Sequence, residues 1–277
     1  MANNKVDIEN NLTLIRSLIT KHKRHDRIFA GVGMFIIISL TITLLVLFLD
    51  LVFDGYPRFN LDFLTNFPSR RATAAGILSA WVGSSLVLIV TFFAAVPLGI
   101  AAGVYLEEYA KKNWFSDLIE INVTNLAGVP SIIYGLLALG LFVYGFGLGQ
   151  TILTAGLTLA LLMLPIVIVA TREAIRAIPI HIREAAYAVG ATKWQVSLHH
   201  VIQYSYGGIL TGVIIGMARA IGETAPVITI GALTFIAFLP PSPVGLEPPF
   251  INFEWLEAGF TVLPIQMFNW ISRPQMA

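Results

Sequence analysis

Long stretches of this chain contain no aspartate, glutamate, lysine or arginine; the first three run for 22, 35 and 51 residues, at 28–49, 72–106 and 121–171. Nothing else in the sequence constrains the fold as strongly. About 20 apolar residues of helix cross a hydrocarbon core roughly 30 Å thick, and inside lipid only helices or closed barrels satisfy their own backbone. With 56% hydrophobic and 12% charged residues and a mean hydropathy of +0.79, the chain reads as an all-α integral membrane protein. The first stretch is a retained span, since a polar segment of 27 residues precedes it and its apolar run exceeds that of a cleaved signal. The second spans once, with its helix beginning near Trp81. The third is too long for one helix and breaks at "YGFGLGQ", 144–150, giving spans three and four. A fifth covers about 207–239 and stops at "PPSPVGLEPP".

Basic residues orient these five predicted spans, because short cytoplasmic loops hold the lysine and arginine excess. Lys5, Arg16, Lys21, Lys23, Arg24, Arg27, Lys111, Lys112, Arg172, Arg176, Arg183 and Lys193 fall on one side, against Arg58, Arg70, Arg71 and Arg273 on the other. The N-terminus is therefore expected in the cytoplasm, with Ala277 outside. Residues 1–27 form a cytoplasmic tail, in which Leu12, Ile15, Leu18 and Ile19 follow the spacing of an interfacial helix. Residues 28–277 form the transmembrane domain. Glu107 and Glu108, beside Lys111 and Lys112, read as solvated charge at a helix end.

The longest cytoplasmic connection, about 172–205, carries the signals of two short helices. Pro179 opens the first, Gly190 caps its end, and Thr192 with Gln195 makes a capping box for the second. Ala185, Ala186 and Ala188 remove side-chain bulk beside Glu184, so that another surface can approach the backbone closely. Two readings stand: a docking element for a partner, or alanines packed on the protein's own helices.

The fifth span raises the question of charge. Arg219 and Glu223 lie within it, although a charge at the centre of a span costs roughly 2.5–3.5 kcal/mol on the lenient scale. Gly208, Gly212, Gly216 and Ala220 recur every four residues, a small-residue stripe that lets membrane helices approach closely. The two charges share the neighbouring face. Pro226 lacks the N–H that would bond the Gly222 carbonyl. Irregular backbone at membrane depth is tolerated where it faces protein or a watery cavity, which assigns this cluster, with Thr224, to a pathway or to a structural ion pair. In span three, Pro130 frees the carbonyl of Leu126, and Thr124, Asn125, Ser131 and Tyr134 add polar groups that line a pathway or satisfy the kink.

The string "REAAYAVGATKWQ" resembles the EAA loop of ABC transporter permeases, in which Glu-Ala-Ala, three residues and Gly mark the coupling helices that enter a groove of the ATP-hydrolysing subunit. "LAGVPSIIYGLLALGLFVYGFG", "LLMLPIVIVATREAIRAIP", "GILTGVIIGMARAIGETAP" and "FTVLPIQMFNWISRP", in this order, resemble phosphate-specific permease subunits of the PstA type, over roughly 72–274. His200, Val201, Ile202 and Gln203 depart from the Ile-x-Leu-Pro end of the loop consensus. The family also has a sixth span after "SRP", which this sequence does not include.

The resemblance implies the helix bundle of a type I ABC importer and a permease subunit rather than an enzyme. It implies a second homologous permease, two ATP-binding subunits holding ATP and magnesium, an external phosphate-binding protein and a bacterial-type inner membrane. Glu184, Ala185, Ala186 and Gly190 would couple to the ATPase. Arg219, Glu223, Thr224, Ser131 and Asn125 would line the phosphate path, where a permanently charged guanidinium suits an oxyanion and weak, replaceable binding allows conduction. Other readings are a permease for another oxyanion, or an ion-coupled carrier using Glu223 as a proton site. The sequence has no Gly-x4-Gly-Lys-Ser/Thr string to hold nucleotide, no cysteine, and a net charge of +1 with no basic face for nucleic acid. No cofactor or metal is expected in this chain.

Overall fold

The computed structural model describes residues 2–71, 74–111, 113–233, 235–245 and 250–272, with the side chains of 2–22 and 24 excepted. Among these residues the fold is all-helical apart from one antiparallel bridge between Val244 and Ile251. The chain divides into two units at 60/61. The first is a single helix, α1 (Ala2–Gly55), followed by a 3₁₀ turn, Tyr56–Arg58. Every large apolar side chain of its 28–49 segment is exposed, as suits a helix that is hydrophobic all round and made for lipid or a partner. The expected interfacial face of Leu12, Ile15, Leu18 and Ile19 lies outside the described side chains.

The second unit is built on α6 (Ile152–Arg176), whose N-cap is Thr151. It packs between α3 (Leu78–Val104) and α9 (Ile202–Gly222). Small residues decide where these helices meet, since packing rather than water exclusion drives association in lipid. A Cβ on Gly99 would fall 2.7 Å from a Val167 methyl, and one on Gly103 would fall 2.7 Å from Thr171 Cβ. Thr91 adds a polar tie across this seam, its hydroxyl reaching the Gly156 carbonyl at 3.1 Å. On the other side of α6, Gly208, Gly212 and Gly216 face Ala174, Ala170 and Met163, so the predicted stripe is the α6 contact surface. Gly212→Val should therefore force α9 away from Ala170 at a cost of about 1–3 kcal/mol; a lowered melting temperature in detergent, with wild-type helicity by circular dichroism, checks it.

Two predicted spans differ from expectation. Span three is a broken pair: α4 (Trp114–Leu126) and a second segment formed by α5 (Ser131–Ala138) with a π-helical extension, Leu139–Gly145, are bent by 105° to each other. Pro130 N-caps α5 instead of kinking a continuous helix. The fifth span is shorter at its end and longer at its start. It begins with α8 (Lys193–Gln195), passes through a π segment (Val196–Val201) and ends with α9 at Gly222.

Beyond Gly222, Glu223 is extended, and the five-residue α10 (Ala225–Thr229) runs only to Gly231, whose φ of 92° few side chains tolerate. The apolar run up to 239 then has no helix among its described residues, and Leu233 pairs its N–H with the Phe260 carbonyl. Apolar character alone does not prescribe a helix when glycine and proline interrupt it. Among the described residues, four helices and one bent pair remain long and apolar enough to cross a membrane.

The end of this unit at the start of α3 is closed by α2 (Leu61–Thr65) and α11 (Leu263–Ile271). Trp81, placed at the start of a span by sequence, lies one turn inside α3 and donates its indole N–H to Leu64 at 2.9 Å. Ser84 accepts the Leu263 N–H at 2.9 Å and so caps α11. Trp255 belongs to the core at 7% exposure; Trp270 packs on Phe63 with ring centroids 6.0 Å apart.

Candidate functional site

The end of α9 brings the membrane-embedded charges together. Thr211, Ile215, Arg219 and Glu223 follow one another at four-residue spacing, one step round from the seam with α6. Arg219 donates from Nε to Oε1 of Glu223 at 3.2 Å, with side-chain exposures of 40% and 18%. Glu223 is the C-cap residue of α9, with φ −77° and ψ 120°, so the carboxylate sits where the helix opens. Thr224 is the N-cap of α10 without a side-chain cap bond. Helix α10 packs directly on α5, where a Cβ on Gly135 would meet Pro226 and the Thr229 hydroxyl. Beside Glu223 is a cleft of about 10 Å³ lined by Ser84, Ala220 and otherwise apolar side chains, room for about one water. The arrangement is a half-exposed guanidinium with one local carboxylate partner at an interrupted helix end.

The span-three residues separate. Ser131 opens α5 and is partly exposed. Asn125 lies in a different and larger cleft, with Asp117, Glu120, Ile121 and Thr124. Tyr134 satisfies the break: its hydroxyl donates to the Leu126 carbonyl at 2.7 Å, the group that Pro130 cannot serve, while Thr124 bonds back to Glu120 at 2.9 Å. Leu126 also receives the Val129 N–H, so Tyr134→Phe is expected to lose only about 0.5–1.5 kcal/mol, read as a small fall in melting temperature.

The 172–205 loop folds as its caps dictate. Helix α7 (Ile180–Ala188) follows Pro179 and ends at Gly190, which has φ 84° and donates to the Tyr187 carbonyl at 2.9 Å. The Thr192/Gln195 capping box is formed on both sides. The alanines divide between the two readings: Ala186 is buried against Ile175, Val196 and Val201, whereas Glu184, Ala185 and Gly190 are exposed.

One cluster went unread in the sequence. Glu107 and Glu108 are not solvated charge. Glu107 Oε2 lies 2.9 Å from Arg176 Nε and 3.5 Å from Arg172 Nε, and Glu120 closes the group at 2.7 Å from Arg172 and 3.2 Å from Arg176. Glu108 turns the other way, to Arg183 at 2.9 Å. The doublet directly follows one uncharged stretch, and Arg172 directly follows another. Charges flanking two spans at the same membrane face were the available signal.

The family model for the inner membrane component of binding-protein-dependent transport systems matches residues 95–244, which include α4–α10 and the loop just described. The phosphate transport system permease protein PstA of Yersinia pestis is 32% identical over 231 residues, covering 80% of this chain and 77% of that protein. The chain belongs to this permease family. Other relatives agree. A probable ABC transporter permease of Bacillus subtilis, YqgI, is 33% identical over 76% of this chain and 67% of its own length. PstA of Mycobacterium leprae is 35% identical over 74% of this chain, which spans 62% of it. The resemblance drawn from the EAA-type loop and "GMARAIGETAP" is thus borne out, as are the all-helical permease fold and the assignment as a multi-pass membrane transport subunit rather than an enzyme.

Proposed function

We propose that this permease is one half of the membrane channel of an ATP-driven phosphate importer of the bacterial inner membrane, with its N-terminus in the cytoplasm. The reading rests chiefly on Arg219, a guanidinium at an interrupted helix end whose Glu223 partner is only an exposed i, i+4 contact, in a chain similar to phosphate permeases. Phosphate displaces Glu223, takes the guanidinium fork, and leaves when the carboxylate returns. Thr224 and Ser131 add donors along the route. Asn125 stands in the second cleft, whose Asp117 and Glu120 oppose an anion except where Arg172 and Arg176 neutralise them. The partners are a second similar permease, two subunits that bind ATP and magnesium, an external phosphate-binding protein and the surrounding lipid.

Residues 1–27 form the cytoplasmic tail and 28–277 the transmembrane domain, with the coupling loop at about 172–205. Glu184, Ala185, Ala186 and Gly190 mark the ATPase contact. Exposed Glu184 and Ala185 meet the ATPase groove, Ala186 seats the helix from behind, and Gly190 turns the chain. Movement of α7 with the ATPase tips the bundle between outward-open and inward-open states. Proteoliposomes containing this chain with those partners should accumulate labelled phosphate when ATP is enclosed and not when ATP is withheld. Accumulation that follows a proton gradient and ignores ATP overturns the proposal.

A further inference from the structure

Helix α7 is nine residues long, and its only fully buried side chain is that of Ala186. An isolated helix of that length is not stable in water, and Ala186 with the partly buried Ile182, packed on the Ile175, Val196 and Val201 cluster, supplies only modest burial. Something else must hold it in place. Arg183, in the middle of α7, gives every branch of its guanidinium to a partner. Nε and one terminal nitrogen reach Glu108 Oε1 at 3.0 and 2.9 Å. The same terminal nitrogen reaches the Ile175 carbonyl at 3.0 Å, and the other reaches the Ile178 carbonyl at 3.1 Å. The Glu108 side chain is 7% exposed and that of Arg183 18%. Among the described residues this is the only ion pair that α7 makes.

Glu108 belongs to the π turn Tyr105–Tyr109 that ends the α3 span, and single π turns inside membrane and soluble helices recur at functional sites. The same turn reaches three neighbours. Glu107 pairs with Arg172 and Arg176 of α6, Glu108 with α7, and the Tyr109 ring lies under Lys193 Nζ of α8, 4.9 Å from its centroid. Both sides of the loop turn at Gly190 are therefore tied to one five-residue segment.

We infer that Glu108 and Arg183 are a positioning pair: they lock the docking helix α7 onto the end of the α3 span and onto carbonyls at the end of α6 and just beyond it, Ile175 and Ile178, so that displacement of α7 is transmitted to those two spans. This rests on the coupling role proposed above. Removing the charge while keeping the shape, as in Glu108→Gln, lets α7 move without carrying α3.

The test uses the absence of cysteine from the chain. Spin labels on Phe93→Cys in α3 and Val189→Cys after α7, positions 69% and 84% exposed, report their separation in the full chain in lipid nanodiscs. Glu108→Gln should broaden that distance distribution, and Glu108→Asp should largely restore it. In the reconstituted complex, Glu108→Gln should keep assembly and ATP hydrolysis while phosphate taken up per ATP falls about tenfold, the scale of a typical coupling energy. An unchanged distance distribution in Glu108→Gln overturns the inference, as does a fall in uptake and hydrolysis by the same factor. If the wild-type complex takes up no phosphate on ATP, the proposed function fails instead, and the distance measurement on the chain alone still decides the positioning claim.

Discussion

Arg219→Gln is expected to reduce ATP-driven phosphate uptake by about 10- to 100-fold, the equivalent of the 1.5–3 kcal/mol of a hydrogen bond to a charged group, while leaving the protein folded and assembled. The asymmetry follows from the geometry. The pair with Glu223 is an i, i+4 contact at 3.2 Å with side-chain exposures of 40% and 18%, and where it faces the water of the proposed pathway a pair of that kind contributes only about 0.3–0.5 kcal/mol. That is too little to hold a helix bundle. If the residue served as a structural pin, it would need more partners, as Arg172 and Arg183 have. Arg219→Lys should retain part of the uptake, since it keeps the charge but not the planar fork. Uptake and subunit co-purification measured on the same preparations separate the two effects. An assembled Arg219→Gln complex with normal uptake removes Arg219 from the path.

Ala185→Trp is expected to abolish productive contact with the ATPase subunits, whereas Ala186→Trp damages the permease itself. Ala185 is exposed on α7 and next to exposed Glu184, so a large side chain there meets no neighbour within this chain. Forcing bulk into a close-packed interface costs about 1–3 kcal/mol or more, so uptake should fall at least about tenfold with the melting temperature of the isolated permease unchanged. Ala186 is 6% exposed and packs on Ile175, Val196 and Val201; the same substitution there should lower the melting temperature. If both variants behave alike in both assays, the division of α7 into an outward and an inward face is wrong.

Where the sequence could be read, local chemistry carried the information. Charge-free stretches located the helices that can cross a membrane, because lipid tolerates few exceptions. The caps around α7 and α8 were legible because Pro179, Gly190, Thr192 and Gln195 act on their own backbone. The stripe of Gly208, Gly212 and Gly216 was legible as a close-approach surface, and it meets α6.

The unread features depend on residues far apart in the chain or on choices that apolarity leaves open. The 105° bend at Pro130 lies within continuous uncharged sequence, and the helix end at Gly222 within a run that hydropathy carries on to 239, so a straight helix, a broken one or an extended strap satisfies hydropathy equally. Glu107 and Glu108 were assigned to solvent because their nearest sequence neighbours are lysines, whereas their partners lie more than sixty residues away. Trp255 and Phe260 join the core only because the 254–260 segment folds back over α6, a contact between distant parts of the chain.

The account turns on whether the ridge carrying Arg219 lines an aqueous route used by phosphate. Ile215 lies one turn before Arg219 on that ridge and is 58% exposed, and Ile215→Cys places a lone thiol there in an otherwise cysteine-free chain. The deciding measurement is the rate at which a charged, water-soluble thiol reagent modifies that position in the assembled complex during ATP turnover, with and without phosphate. The ridge assignment predicts modification that phosphate slows. A thiol that the charged reagent never reaches, or whose rate is indifferent to phosphate, contradicts it.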